Sequence, residues 1–357
     1  TLVRRSSGSR RIWLAILAGV SVLAVACSGG GGDTAGDDPT DIGAGSGERN
    51  VSFKGAGGLK LAGTLAVPEK PVGGGVVILS DYGNIDRNGV LDSAPVDPLY
   101  ADMSKSLVAA GVPTLRYDRR AIGESKLDSG ARLTYDNLVD DGKAAVDFLG
   151  QRADVGKGGV VVVGHNAGGL MALRVAADPK VKAVVLVSTP GRPVVDVMAE
   201  LFTQVYGAQS AAQFRTIVAD FLASGSLPGP EAIPPQFQTV LGQGQGDVLK
   251  GLFTVDPVTD AQQVKVPTMV LVGAQSITVT KLDADRLSQA IGSGATVAVT
   301  KTGPTLREVP PDAGPVAFVA GNDSTHLFGA RNVTDIPRDQ DAVNQVVSFV
   351  TSKLSVR

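Results

Sequence analysis

A strand-to-helix turn in the middle of the chain has the sequence of a nucleophile elbow without the nucleophile. Residues 161–173 read VVVGHNAGGLMAL, a valine-rich run followed by a Gly-rich turn and a helix pattern. In a Gly-x-Ser-x-Gly turn of this kind, the serine at the apex attacks an acyl or peptide carbonyl. The apex residue here is Asn166, whose amide is neutral and not nucleophilic, although it donates and accepts hydrogen bonds. Because asparagine tolerates a positive φ, we expect the turn itself to survive.

The turn lies within a regular alternation of strand and helix patterns that begins at Val51. Short apolar runs such as GGGVVILS, VPTLRYD, GGVVVVG and VKAVVLVST have the composition of buried strands, and amphipathic stretches separate them. The alternation predicts an α/β fold with a mostly parallel central sheet and helices on both faces. The first two strand patterns, VSFKG and KLAGTLAVP, flank a Gly-rich turn and predict a strand pair.

Helical patterns interrupt the alternation between Pro190 and Lys265. They include VMAELFTQVYG, AAQFRTIVADFLASG and IPPQFQTVLGQ, after which VPTMVLVG resumes the sheet. We interpret this segment as a helical cap, at about residues 190–265, inserted into one domain over residues 51–357. The tail is predicted to hold a helix over residues 281–291, strands at ATVAVT and GPVAFVA, a loop GNDSTHLFGA and a last helix near residues 340–353.

The order of these motifs resembles the α/β-hydrolase superfamily, and in particular its capped bacterial esterases and serine peptidases. GHNAGG stands at the position of the family's elbow, and VVILSDYGNIDRNG is similar to its third-strand loop. LRYDRRAIGES resembles the family's Asp-Arg-Arg-Gly-x-Gly-x-Ser stretch, with Ala121 in place of one glycine, and DPVTDAQQVKVPTMVLVG looks like its approach to strand seven. The resemblance runs from about Val51 to the end of the chain. It implies an α/β-hydrolase fold and a catalytic triad in the chain order Ser, Asp, His.

One member of that triad is present at the position that the resemblance implies. His326, in DSTHLFG, matches the family's catalytic histidine, whereas the other histidine, His165, precedes the elbow. Ser276, in GAQSITV, stands at the acid position, and its hydroxyl carries no charge to stabilise an imidazolium. Two alternatives stay open: His326 is a loop histidine kept for packing, or Asp283 or Asp323 replaces the missing acid.

The resemblance also implies an oxyanion hole built from two backbone N–H groups, for which Tyr82 and Ala167 are the expected donors. Since these donors belong to the main chain, side-chain changes need not remove them. Asp81 departs from the pattern, because a negative charge beside the donors opposes a developing oxyanion. Ser80 is a further hydroxyl in this region, and we interpret it as an ordinary strand-end serine.

The N-terminus has the features of an export signal. Four arginines precede an apolar stretch over residues 12–26, which is shorter than the ~20 residues of a membrane-spanning helix. Its end, LAVAC, resembles the lipobox of bacterial lipoproteins, with Leu23 one place farther from the cysteine than usual. We predict a signal peptide over residues 1–26, and then lipidation of Cys27 and a disordered tether over residues 27–50. In the alternative, Cys27 is an apolar residue of an ordinary signal.

Composition narrows the range of partners. The chain has 43% hydrophobic residues, enough for a substantial core, and a formal net charge of −2. Its Lys and Arg residues are scattered, which argues against a nucleic-acid surface. Two histidines far apart in the chain and one cysteine make a poor metal site, and no organic cofactor is implied.

Two functional hypotheses of different class follow from these patterns. The first is a lipid-anchored, catalytically impaired hydrolase homologue that binds a small acyl, ester or peptide-like ligand at the outer side of a bacterial membrane. The second is an active ester or peptide hydrolase whose catalytic groups are rearranged around His326. The hypotheses differ in whether a hydroxyl and a carboxylate converge on that histidine.

Overall fold

The computed structural model describes residues 46–89, 98–128, 131–242, 246–308 and 336–354. All of them belong to one of the two units into which the chain divides, Pro39–Arg357. Several predicted features lie outside the described residues: Cys27 with its signal and most of its tether, the second tail strand GPVAFVA, and the loop that carries Asp323 and His326.

The described residues contain eight strands: β1 (Gly47–Lys54), β2 (Lys60–Val67), β3 (Gly75–Leu79), β4 (Thr114–Tyr117), β5 (Val160–His165), β6 (Val181–Val187), β7 (Thr268–Gly273) and β8 (Ala295–Thr300). They form a single sheet of order β1-β2-β4-β3-β5-β6-β7-β8. β1 pairs with β2 and β2 with β4 in antiparallel fashion, whereas every pairing from β4 through β8 is parallel. The prediction of a mostly parallel sheet is therefore confirmed.

The first strand begins at Gly47 rather than at Val51, where the sequence pattern starts. The reason is the length of its partner, since β2 continues to Val67 and pairs that residue with Gly47. The early part of β1 therefore gains its order from ladder hydrogen bonds rather than from apolar side chains.

The helices among the described residues cover both faces of the sheet, as the alternation predicted. Val160 and Val162 of β5 pack into a core cluster with helices on one face of the sheet, and Val161 and Val163 pack with helices on the other face. This two-sided burial explains why the central strands are continuous valine-rich runs. The helices are α1 (Leu99–Ala109), α2 (Tyr135–Gly150), α3 (Ala167–Val175), α4 (Val194–Tyr206), α5 (Ala208–Ser224), α6 (Gln238–Leu241), α7 (Gly246–Thr254), α8 (Pro257–Gln262), α9 (Lys281–Ile291) and α10 (Gln340–Leu354).

Helices α4 to α8 form an insertion between β6 and β7, in the part of the chain where a cap was predicted. The insertion has its own apolar cluster, in which Phe202 of α4, Phe214 of α5 and Phe237 of the turn before α6 stack edge to face or tilted at centroid distances of 4.7–5.5 Å. The partly buried Tyr82 packs against this cluster and against the main core. The helical insertion therefore touches the loop after β3.

Ion pairs tie both ends of the helical insertion to the helices that flank the sheet. At its start, Nε of Arg192 donates to Oδ1 of Asp283 in α9 at 2.8 Å. At its end, Nε of Arg174 in α3 donates to Oδ2 of Asp260 in α8 at 2.7 Å. In the described part of the chain, no helix combines the length and the apolar character that crossing a bilayer requires.

Candidate active site

Asn166 is the single residue between the end of β5 and the start of α3. Its backbone angles are φ 50° and ψ −114°, outside the regions that most L-residues occupy. The positive φ agrees with the expectation for an elbow. Such a conformation persists only where the surrounding structure enforces it.

Three glycines enforce the tight turn around Asn166. A Cβ on Gly168 would lie 2.2 Å from the carbonyl oxygen of Leu79, and one on Gly169 would lie 1.8 Å from Oγ1 of Thr189. A Cβ on Gly164 would meet the carbonyl oxygen of Gly168 at 2.4 Å. The absence of side chains at these positions lets α3 pack directly against β3 and β6, with Asn166 at the apex.

The two backbone donors expected for an oxyanion hole both point at one carboxylate. The N–H of Tyr82 donates to Oδ1 of Asp81 at 2.7 Å, and the N–H of Ala167 donates to the same oxygen at 3.1 Å. The side-chain amide of Asn166 donates through Nδ2 to Oδ2 at 3.1 Å. The Asp81 carboxylate thus occupies the point on which these three donors converge.

Burial raises the pKa of Asp81 to about 6, although several groups favour its charged form. The side chain belongs to a residue that is only 2% exposed, so its ionised form loses most of its hydration. The N–H groups of Ala167 and Tyr82, the positive charge of Arg119 and the amide of Asn166 act in the opposite direction. At neutral pH the carboxylate is ionised and satisfied by these partners.

Arg119, which follows β4, places a buried positive charge beside this carboxylate. Its Nε donates to Oγ of Ser80 at 3.1 Å, a second guanidinium nitrogen donates to the carbonyl of Gly83, and the guanidinium lies 5.6 Å from the ring centroid of Tyr82. Burial lowers the pKa of Arg119, and nearby groups including Asp81 oppose that shift. Ser80, directly after β3, is buried and accepts this hydrogen bond from Arg119.

His165 is held in a buried hydrogen-bond chain. Its Nε2 lies 3.1 Å from the carbonyl oxygen of Pro304, which only accepts, so Nε2 carries the proton. Its Nδ1 lies 3.1 Å from the hydroxyl of Tyr100, and that hydroxyl accepts from the backbone N–H of Asp81 at 2.8 Å. His165 therefore supports the loop that carries Asp81, a role distinct from proton transfer.

Ser276 lies in the loop after β7, as the sequence order predicted. It is buried, its Oγ lies 3.3 Å from Oγ1 of Thr278, and it accepts from the backbone N–H of Val279 at 3.3 Å. The hydroxyl closes a local turn and brings no charge to the site.

Asp283, one of the two possible substitute acids, is fully buried in the first turn of α9. Its Oδ1 accepts from Nε of Arg192 at 2.8 Å and from the backbone N–H of Gly191 at 3.1 Å. Its Oδ2 accepts from Nη2 of Arg192 at 3.1 Å and from the backbone N–H of Thr280 at 2.9 Å. Both carboxylate oxygens thus accept hydrogen bonds from residues at the start of the helical insertion and of α9. This use of both oxygens argues against a role of Asp283 as a catalytic acid.

The sequence patterns indicated that Asp81 departs from the family pattern, but they did not reveal that its carboxylate accepts hydrogen bonds from the N–H groups of Tyr82 and Ala167. They also did not single out Arg119 or Tyr100, although the charged run DRR directly after a buried strand was a usable signal. His326 and Asp323 lie outside the described residues. Among the described residues, no group of three or more His, Cys, Asp or Glu side chains is placed to hold a metal ion.

Two surface clefts are lined by residues other than those of the elbow. One, of about 490 Å³, lies between the start of the helical insertion and α9 and includes Pro193 and Arg286. The other, of about 640 Å³, lies beside α10 and includes Met269 and Phe349. Neither contains Asp81, Tyr82 or Asn166 among its lining residues.

Comparison with known proteins identifies the class to which this fold and turn belong. A sequence model of the alpha/beta hydrolase family matches residues 91–326, and the chain is a member of that family. Esterase EstD of Thermotoga maritima is 25% identical over 242 residues, which cover 66% of this chain and 53% of the relative. The chain thus spans about half the length of that curated relative.

Solved structures agree on the fold. An esterase of Pyrococcus furiosus superposes with a TM-score of 0.56 at 14% identity, over 90% of this chain and 96% of the other. The alpha/beta hydrolase GrgF of Penicillium sp. sh18 superposes with a TM-score of 0.55 at 16% identity, over 87% and 99% of the two chains. At these identities the likeness establishes the α/β-hydrolase fold alone.

Proposed function

We propose that this protein is a catalytically impaired member of the capped esterase and serine peptidase-like branch of its family, and that it binds a small acyl, ester or peptide-like ligand. The observation that carries the proposal is the position of the Asp81 carboxylate on the N–H groups of Tyr82 and Ala167. Hydrolysis through an acyl intermediate requires those donors at the moment when negative charge develops on the substrate oxygen.

The energetic cost of losing such donors supports this reading. Removal of a single oxyanion-hole donor lowers turnover by about 10² to 10³ in well-studied hydrolases. Here both backbone donors are already engaged, and a like charge lies where the oxyanion would form. The elbow residue, Asn166, adds no nucleophile, and its amide stabilises the competing carboxylate.

The lack of a free carboxylate at the acid position also supports catalytic impairment. Ser276 is neutral, and both oxygens of the buried Asp283 accept hydrogen bonds from Arg192 and from the backbone N–H groups of Gly191 and Thr280. In well-studied triads, an enzyme that lacks the carboxylate beside its catalytic histidine loses on the order of 10⁴ in turnover. The alternative function, an active hydrolase rearranged around His326, takes its support from the likeness to an esterase that is 25% identical.

An esterase assay on the full chain separates the two functions. We expect the wild-type protein to show no turnover of p-nitrophenyl acetate, p-nitrophenyl butyrate or a short peptide anilide above the level of His326→Ala and Asn166→Ala. A fluorophosphonate probe, which labels activated serines, should leave it unlabelled, with an active esterase as positive control. Turnover that disappears with His326→Ala, or labelling of any serine, would overturn the proposal.

We further propose that the protein is exported through residues 1–26 and anchored by a lipid on Cys27 at the outer side of a bacterial membrane. The support is the sequence alone: four arginines, a short apolar stretch, the LAVAC ending and a Gly- and Asp-rich tether. Such an anchor would hold the ligand-binding domain at the cell envelope, where small acyl compounds and peptides arrive from outside.

A further inference from the structure

We infer that Asp81 is the specificity-determining residue of this site: its carboxylate occupies an intact anion-binding position, so the site excludes anionic ligands and favours neutral or cationic hydrogen-bond donors. This inference deepens the proposed function and rests on it, because it names the class of ligand that the impaired site accepts.

The first support is that the anion position is complete and filled. Two N–H groups from different elements, the loop after β3 and the first turn of α3, converge on one oxygen of Asp81 at 2.7 and 3.1 Å. The shorter distance is typical of a charge-assisted hydrogen bond to a carboxylate, and the longer one is that of an ordinary hydrogen bond. The side chain of Asp81 thus stands in for a carboxylate or oxyanion ligand that would otherwise use the same donors.

The second support is the charge around the position. The Asp81 carboxylate is buried and is balanced by Arg119, which is also buried and which already donates to Ser80 and Gly83. A second anion at this place would meet a like charge in a medium that screens poorly, with both backbone donors already taken. Carboxylates and other anions therefore do not bind here, because the two N–H groups are already used and the negative charge of Asp81 repels a second anion.

The third support is the direction of the Asn166 amide. An ionised carboxylate only accepts hydrogen bonds, so the group of Asn166 that faces Oδ2 of Asp81 must be the amide nitrogen. Oδ1 of Asn166 is then an acceptor on a partly exposed residue, and within the described ranges it accepts no hydrogen bond. An alcohol, an amine or a primary amide supplies the donor that this oxygen lacks.

Removal of the Asp81 side chain tests the inference with defined probes. Asp81→Ala should vacate the position and leave the N–H groups of Tyr82 and Ala167 to bind formate or acetate. Asp81→Asn is the matched control, because it keeps the volume of the side chain and removes the charge. Thermal unfolding is followed while sodium formate or acetate replaces sodium chloride at constant ionic strength.

We expect a saturable rise in the melting temperature of Asp81→Ala by at least about 2 °C with either carboxylate, because a ligand that binds the folded state alone stabilises it. The wild-type protein and Asp81→Asn should respond no more to formate than to chloride. If Asp81→Ala is too unstable to purify, the yield of its refolding with formate against chloride gives the same readout. An equal response of the wild-type protein, or no response of Asp81→Ala, would overturn the inference.

A second panel tests the ligand class on the wild-type protein. Butanol, butylamine and butyramide share a four-carbon skeleton with butyrate, and binding is followed by chemical shifts of the Asn166 side-chain amide. We expect at least one of the three donors to bind tenfold or more tightly than butyrate. Preferential binding of butyrate would refute the inference. Ester hydrolysis by the wild-type protein would refute the proposed function instead and leave the formate result as it stands.

Discussion

The carboxylate of Asp81 receives backbone hydrogen bonds from Tyr82 and Ala167, the two residues that we propose as the remnant of an oxyanion hole. Its charge is stabilised by those bonds, by Arg119 and by the amide of Asn166, yet burial outweighs them and raises its pKa to about 6. At the scale of one residue, the ionised side chain of Asp81 therefore lowers the free energy of unfolding at neutral pH.

That cost predicts a specific dependence of stability on pH. The folded pKa of Asp81 lies above the ordinary value of 3.8, so the folded state binds the proton more tightly than the unfolded state. Stability from this group is complete below about pH 4 and is lost as the pH rises through about 6, with a total on the order of 3 kcal/mol. Urea unfolding of the wild-type protein and Asp81→Asn at pH 4.0 to 7.5 measures the effect.

The difference between the two proteins isolates Asp81, because all other titrating groups are common to both. We expect the free energy of unfolding of the wild-type protein to fall relative to that of Asp81→Asn as the pH rises from 4 to 7. A difference that stays constant across this range would show that Asp81 titrates normally in the folded state.

A second prediction at this scale concerns the repair of hydrolysis. Triad members act as a unit, so Asn166→Ser or Ser276→Asp alone should restore little, and the pair together should exceed the sum of the singles. Asp81 also occupies the N–H groups of Tyr82 and Ala167, so Asp81→Gly should free them. Added to the pair, Asp81→Gly should raise kcat/KM for p-nitrophenyl butyrate by a further factor of about 10² to 10³, which is the loss of turnover when one oxyanion-hole donor is removed.

The control for this repair is His326→Ala in the background of the triple variant, which should return turnover to the wild-type level. A double variant as active as the triple variant would mean that Asp81 moves away when substrate binds. A silent triple variant would mean that Ser276 does not stand at the acid position.

At the scale of elements, the junction of β3, β5 and α3 is fixed by glycines rather than by side-chain packing. Gly168 allows α3 to lie against the carbonyl groups of Leu79 and Ser80, at 2.2 and 2.6 Å from the place of an added Cβ. This close approach brings the N–H of Ala167 to the loop after β3. The geometry of the turn at Asn166 thus depends on the short distance between α3 and β3.

Gly168→Ala should destabilise the fold by about 1 to 3 kcal/mol, because backbone atoms on β3 cannot yield to the new methyl group. Gly294→Ala is a suitable control, since its Cβ would meet nothing closer than 3.7 Å and the residue is exposed. Equilibrium unfolding in urea compares the two variants. Equal stability of Gly168→Ala and the wild-type protein would indicate that α3 shifts freely on the sheet.

Much of this element order was predictable from the sequence, because burial on both faces imposes continuous apolar runs such as that of β5. The start of β1 was not, since Gly47 is ordered by its partner Val67 and not by its own side chain. The contacts of Asp81 and Asp283 were not predictable either. They depend on the directions of side chains and on partners such as Arg192, which is 91 positions from Asp283.

At the scale of the whole molecule, the predicted lipid anchor gives a test that is independent of the site. Cys27→Ser should move the protein from the membrane fraction to the soluble extracytoplasmic fraction, or leave an unprocessed precursor, because the thiol is the acceptor of the lipid. Fractionation and mass spectrometry of the mature N-terminus measure the outcome, with Ser28→Ala as control. Unchanged membrane retention of Cys27→Ser would favour an uncleaved signal anchor.

The two ion pairs at the ends of the helical insertion bear on how fast a ligand exchanges. Arg192 pairs with Asp283 of α9, and Asp260 of α8 pairs with Arg174 of α3, so both ends of the insertion are held to helices of the main domain. A segment held by ion pairs at both ends is restrained from swinging as a lid. Ligand association should then be a single step whose rate rises linearly with ligand concentration, without the plateau that a slow opening step produces.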